Sequence, residues 1–243
     1  MKPNFRIKLI TALSGLLALT APMFTARADD VTYLYDANGR TKSATGIGWS
    51  AVYDYDAAGN VIQITRTAPI ALLGVVSRKT HGTAGTYDLP LDRSVPVDGA
   101  VTVEPRSVGG AHSIVFQFNS TITSPGAVGV GRGAAPIGNV AALTGSGTEV
   151  SVDVANIPDN KRVTVTLTGV NGGSGTYLVS IGFLKGDVNN SRSVNSSDIS
   201  SVKAWSGQST TPGNFLRDLN ASGDINSSDI SAVKAQSGLV LEP

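Results

Sequence analysis

The chain is 243 residues long, with 28 glycines, 6% aromatic residues, no cysteine and a formal charge of +1. That composition favours β-rich, loop-rich modules over helix bundles, and it leaves no disulfide framework to hold them. A nearly balanced charge gives no electrostatic footprint for nucleic acid. Residues 1–28 read as a signal peptide: Lys2, Arg6 and Lys8 form a basic n-region, Leu9–Thr20 an apolar stretch too short to span a bilayer, and Ala26-Arg27-Ala28 an A-x-A cleavage site. Cleavage near Ala28 would start the mature chain near Asp29, extracellular or at the cell surface. Removing Lys2, Arg6, Lys8 and Arg27 from 19 basic residues leaves 15 against 18 acidic ones, a net of −3. No later segment is apolar for long enough to predict a membrane span.

Within residues 29–67, Tyr33-Leu-Tyr35-Asp36-Ala-Asn-Gly39-Arg40 recurs 20 residues on as Tyr53-Asp-Tyr55-Asp56-Ala-Ala-Gly59-Asn60. Alternating tyrosines suit a half-buried strand, and Asp-x-x-Gly supplies a turn whose glycine can take a positive φ. Each unit reads as strand, turn, strand. These residues resemble the YD repeats of Rhs-type secreted proteins, which stack many such hairpins into a shell. Two copies are fewer than a self-supporting stack needs, so a short β appendage is expected. Its tyrosines would either form a small core or offer rings on which sugars stack.

Ala68-Pro69 marks a boundary, and residues 68–184 read as an all-β module. Val101-Thr-Val103, Ser113–Phe118, Val150–Val154, Val163–Leu167 and Tyr177–Phe183 are β-branched runs between Gly-, Pro- and Asn-rich turns. Ile114, Phe116 and Phe118 share one face, as do Val163, Val165 and Leu167, which two sheets closing over a core require. Six to eight strands in about 115 residues predict an immunoglobulin-like sandwich.

For catalysis this module offers His81, His112, Glu104, Glu149, Asp88, Asp92, Asp98, Asp153 and Asp159. Glu104 and Glu149 would serve a glycosidase only if folding set them across one bond. An ion pair of Glu104 with Arg106, two positions on, is the simpler expectation. There is no G-x-S-x-G elbow in a strand-to-helix context, and the histidines lie 31 residues apart without an H-E-x-x-H pattern. Gly129-Val-Gly131-Arg-Gly133 lacks the lysine and helix of a phosphate loop and reads as a β-turn. His112 reads as a strand-end histidine.

The specific chemistry lies in residues 185–243. Asp187–Gly207 and Asp218–Gly238 start 31 residues apart and agree at 14 of 21 positions. Loop positions 1, 3, 5, 9 and 12 hold Asp187, Asn189, Ser191, Asn195 and Asp198 in the first copy, and Asp218, Asn220, Ser222, Asn226 and Asp229 in the second. That is the order in which an EF-hand loop presents oxygens to calcium, with position 7, here Ser193 or Asp224, giving a backbone carbonyl. After each loop, Ser-Ser-Asp-Ile-Ser-x-Val-Lys predicts one helix, with Ser capping, Asp in the first turn and Ile and Val on one face. So little apolar surface predicts that the copies pack on each other and lean on the ions for folding.

At these residues the chain resembles the type I dockerin family, paired calcium loops that dock on cohesin modules. The resemblance implies two calcium ions held by the side chains just named, and a cohesin-like partner recognised at positions 10 and 11, Ser196-Ser197 and Ser227-Ser228, with Lys203 and Lys234 further along. Position 5 is serine where the family usually has aspartate, which weakens both sites. Position 6 is Gly223 in the second loop but Arg192 in the first, where a positive φ costs a non-glycine residue about 1 kcal/mol. A stronger second site is therefore expected. Chelation is expected to unfold the loop region and spare the sandwich. Val76-Ser-Arg-Lys-Thr-His-Gly82 and Val103-Glu-Pro-Arg106 look like motifs of an uncharacterised β module that precedes dockerins in exported bacterial proteins.

The fold class is thus mainly β with a small α C-terminal module. Two functions remain open. One is an exported, non-catalytic interaction protein that docks through calcium. The other is a carbohydrate-active component of a polysaccharide-degrading assembly, either a sugar-binding module or a small hydrolase of O-glycosyl bonds.

Overall fold

The computed structural model describes residues 31–46, 49–67 and 70–243. The expected signal peptide lies outside them. The chain divides into two compact units at Pro69/Ile70. The first is an antiparallel meander of β1 (Thr32–Tyr35), β2 (Thr41–Gly46), β3 (Trp49–Tyr55) and β4 (Val61–Thr67). The repeated Asp-x-x-Gly makes the same turn twice. The Asp36 carboxylate accepts the backbone N–H of Asn38 and Arg40, and that of Asp56 accepts from Asn60, while Gly39 and Gly59 take φ of 78° and 91°. Only Ala44 and Ala51, paired across β2 and β3, are buried apolar residues among those described in this unit. Tyr33 and Tyr35 are exposed, whereas Tyr55 lies under the Arg40 guanidinium and donates its hydroxyl to the Thr41 carbonyl. The tyrosines therefore split between surface and partial shelter.

The second unit begins with a two-sheet sandwich. Its strands are β5 (Leu72–His81), β6 (Gly85–Pro90), β7 (Thr102–Glu104), β8 (His112–Phe118), β9 (Ala127–Arg132), β10 (Ala135–Pro136), β11 (Asn139–Ser146), β12 (Glu149–Ala155), β13 (Lys161–Thr168) and β14 (Thr176–Phe183). One sheet runs β11-β12-β8-β5-β6 and the other β10-β9-β13-β14-β7. Alternation decides which side chains face inward: Ile114, Phe116 and Phe118 from one sheet meet Val163, Val165, Leu167, Val179 and Ile181 from the other in one core. There are ten strands where six to eight were expected. The additional ones include β9 and β11, whose glycine- and alanine-rich residues are half-buried or exposed and offer little apolar signal.

The mainly β fold with a small helical C-terminal part is as expected, but the strand order departs from the immunoglobulin type. Beyond β6 the chain crosses over and enters the second sheet as an edge strand parallel to β14, pairing Thr102 with Ile181 and Glu104 with Phe183. Parallel neighbours need such a crossover, and an immunoglobulin sandwich has antiparallel sheets. The placement matters because β14 leads directly into the duplicated loops of residues 185–243. Val101 and Val103 join Leu184, Val188, Val194, Val202, Leu219, Ile225, Val233 and Leu241 in a second core. Residues 70–243 are one compact unit, in which the sandwich and the C-terminal segment share that core.

Candidate calcium-binding loops

The C-terminal segment contains α1 (Ser196–Ala204), β15 (Gln208–Ser209), β16 (Asp224–Ile225) and α2 (Ser227–Ala235). Both helices start alike, and the cap is the asparagine before the serines, not serine as the sequence predicted. Asn195 accepts the backbone N–H of Ser197 while Asp198 accepts that of Asn195; Asn226, Ser228 and Asp229 repeat this capping box. The asparagine wins because its longer amide reaches the free N–H groups of the first turn from an extended backbone. Val202 and Val233 are fully buried, so each helix rests on the second core.

The loops are cross-paired. The chain after α1 runs alongside the second loop, with Gly207 donating to Ile225 O and Thr210 to Gly223 O. The chain after α2 does the same for the first loop, from Gly238 to Val194 O and from Leu241 to Arg192 O. Each copy thereby completes the other's loop, as expected for units with too little apolar surface to stand alone.

Within each loop the predicted ligands converge. Ser191 N–H donates to Asp187 Oδ1 at 2.9 Å and to Asn189 Oδ1 at 3.0 Å; Ser222 makes the same bonds with Asp218 and Asn220. Asp198 Oδ1 accepts Val188 N–H, and Asp229 Oδ1 accepts Leu219 N–H. The Asn195 and Asn226 oxygens already accept the N–H and hydroxyl of Ser197 and Ser228, so they face the helix start. At position 7 the Ser193 and Asp224 carbonyls accept the Ser191 and Ser222 hydroxyls, and the Asp224 carboxylate turns outward to Ser209.

Charge makes the case for a cation. Asp187, Asp198, Asp218 and Asp229 are each no more than 1% exposed. Among the described residues the only ion-pairing side chain that reaches any of them is His81, on Asp218. Burial pushes the Asp187 carboxyl up, and the Asp198 charge adds to it; burial and the Asp218 charge do the same to Asp229. Buried carboxylates that repel one another call for a positive ion. No cluster of three or more His, Cys, Asp or Glu occurs among the described residues. Each loop instead sets two carboxylates among amide, hydroxyl and carbonyl oxygens, a donor set that fits calcium, which takes mixed oxygens, better than zinc, which prefers nitrogen and sulfur.

The sequence missed what lies behind the second loop. His81 ends β5, and its Nδ1 is 2.8 Å from Asp218 Oδ2, both side chains being fully buried. Arg106 Nη1 is 3.2 Å from His81 Nε2, and Arg106 is held in turn by Glu104 through Nε at 2.8 Å and Nη2 at 2.7 Å. Arginine only donates, so Nε2 accepts and Nδ1 carries the hydrogen that goes to Asp218. Thr210 Oγ1 and Gly223 N–H donate to the same Oδ2. Burial raises the Asp218 pKa, but the bonds from His81, Gly223 and Thr210 outweigh it and hold the carboxyl below its usual range. Around this chain Gly82 N–H donates to Ala221 O, Ser107 N–H to Leu219 O, and Tyr87 stacks on Phe215. The signal was present in the two motifs over Val76–Gly82 and Val103–Arg106, but nothing local ties them to a loop 137 residues away.

The glutamate pair that a glycosidase would need, Glu104 and Glu149, is divided between the two sheets. Glu104 pairs with Arg106, as the spacing suggested, and the pair is fully buried. Glu149 sits in the opposite sheet with Arg78 and Gln117. Asp88 also binds Arg78, Asp98 binds Arg132, Asp92 binds Ser94, Asp153 accepts from Ser151, and Asp159 accepts Lys185 N–H. His112 starts β8 and packs on Phe183, with burial and the Lys79 charge lowering its pKa to about 4. The expected partner-facing residues Ser196, Ser197, Lys203, Ser227, Ser228 and Lys234 are all exposed.

Comparison with known families agrees with both repeats. Residues 185–236 match the dockerin type I domain and residues 35–68 the RHS repeat. Dockerin type I domains bind calcium. No curated protein and no solved structure matches the chain at a significant level. No helix among the described residues is long and apolar enough to cross a membrane.

Proposed function

We propose that this is an exported, non-catalytic interaction protein whose C-terminal module binds two calcium ions and then docks to a cohesin-like partner. The observation that carries this reading is the pair of cross-completed loops, each burying two carboxylates without a lysine or arginine to neutralise them. Bound calcium would supply the missing positive charge. The protein's part is to fix the aspartates by backbone N–H groups, to cap the helices, and to leave Ser196, Ser197, Lys203 and their repeats Ser227, Ser228 and Lys234 on the surface for a partner. A pull-down with the full chain as bait should recover a cohesin-type module in calcium and lose it in chelator or in a chain carrying both Asp187→Ala and Asp218→Ala. Recovery unaffected by chelator would overturn the reading.

A second reading, a sugar-binding component, draws on the exposed Tyr33 and Tyr35 of the meander. Sedimentation of the full chain with insoluble polysaccharides supports it if binding occurs and is lost on replacing both tyrosines with alanine.

A further inference from the structure

We propose that His81 of the sandwich is a positioning residue of the second calcium site, oriented by Arg106 and Glu104, so that this site is built jointly by two parts of the chain that the sequence separates. The proposal rests on the calcium reading above and assigns new residues to it.

The geometry divides the labour of one carboxylate. Asp218 Oδ2 takes three donors, His81 Nδ1–H, Thr210 Oγ1–H and Gly223 N–H, each at 2.8 Å. Its Oδ1 accepts Ser222 N–H; the Ser222 hydroxyl lies 3.5 Å away but is closer to Asp224 O, at 3.1 Å, which leaves Oδ1 a lone pair for the loop interior. One oxygen is thus locked from behind and the other is presented. A ligand oriented in this way loses less freedom on binding the ion, and residues one step behind a ligand tune affinity for that reason. In the first loop Asp187 Oδ2 receives only Arg192 N–H, and the residue matching Thr210 is Leu241, whose side chain has no donor.

The supporting residues form one buried chain that ends on His81. Glu104 and Arg106 are buried and joined by three hydrogen bonds, and Arg106 also donates to His81 Nε2, Ser77 O and Tyr87 O. A buried charge pair is weak evidence for stability but a good device for fixing a geometry. Here the fixed geometry is the ring of His81. Gly82 confirms how closely the two parts meet: a Cβ at this position would lie 2.2 Å from Ser222 O.

Calcium titration of the full chain tests this one site at a time. Asp187→Ala leaves the second loop and Asp218→Ala the first. Adding His81→Ala to Asp187→Ala should weaken binding by about tenfold or more, the scale of substitutions behind a metal ligand, whereas adding it to Asp218→Ala should leave the first site unchanged. His81→Asn, which keeps an N–H near the Nδ1 position, should restore most of the affinity, and His81→Gln should not. Should His81→Ala fail to fold, the Asn and Gln variants decide alone. In the calcium-loaded chain, imidazole NMR should place the His81 proton on Nδ1. Unchanged affinity in every His81 variant overturns the positioning role. Absence of binding already in Asp187→Ala overturns the calcium reading of the second loop instead.

Discussion

The first loop, Asp187–Asp198, and the second, Asp218–Asp229, share ligand types, capping boxes and cross-pairing, and differ in what stands behind the leading aspartate. Asp187 meets only its own loop, whereas Asp218 meets Thr210 from the neighbouring copy's strand and His81 from the sandwich. The sequence placed the asymmetry elsewhere, in Arg192 against Gly223. Arg192 does take φ +65°, but the second loop has its own strained residue, Ala221 at φ +53°, where the first has Asn190, a residue that tolerates this region. Each loop therefore carries one poor residue in left-handed backbone, and these costs roughly cancel. Both loops touch the sandwich, the first through Asn190 Oδ1, which accepts Val103 N–H, but only the second has a sandwich side chain, His81, on its leading aspartate.

The sharpest way to break that comparison is to remove each leading aspartate in turn. Asp218→Ala strands the donors of His81 and Thr210 in the interior and should cost about 3–5 kcal/mol, the scale for breaking a buried pair. Asp187→Ala releases two backbone donors and a long contact from the Ser191 hydroxyl, which has another acceptor in Ser193 O, and should cost about 1–3 kcal/mol. Chemical denaturation in calcium measures both, and equal losses would contradict the asymmetry. Because the two parts share a core, chelator should lower the melting of the sandwich together with the loops, in place of the separate transitions that the sequence suggested. Two resolved transitions for residues 70–243 would restore the older expectation.

Removing the support should come next in size. Arg106 outweighs the effect of burial and holds the Glu104 carboxyl below its ordinary value of 4.5. A depressed carboxylate contributes stability that is present above the unfolded pKa and is lost as pH falls through the folded one. Glu104→Gln should therefore cost about 2–4 kcal/mol at neutral pH and flatten the loss of stability below about pH 4.5 relative to the parent. Denaturant midpoints across pH 3–7 in both chains check this, and parallel curves would exclude it. Gly82→Ala should cost about 1–3 kcal/mol, because Ser222 O and the hairpin tip must part. Its calcium titration should show the second site weakened and the first untouched.

The smallest effects concern the strained positions. Arg192→Gly and Ala221→Gly should each stabilise by about 1 kcal/mol, similar in size although they lie in different loops. A much larger gain from Arg192→Gly would return the asymmetry to the loop itself.

Local chemistry made much of this protein legible in advance. The Asp-x-x-Gly repeat specified its turns because the aspartate side chain and the positive-φ glycine act within five residues. The alternating runs specified inward faces because strand side chains point to opposite sides at every step. The 31-residue duplication specified two loops and two helices because ligand spacing is a property of one loop at a time. What the sequence left open depended on residues far apart in the chain. The parallel pairing of β7 with β14, the shared core of Val101 and Val103 with the helices, and the bond from His81 to Asp218 all join segments that carry no local mark of each other. Burial and hydrogen bonding of such pairs are decided by where the backbone brings them, so only the folded chain could set His81 of the sandwich behind the leading aspartate of one loop and not of the other.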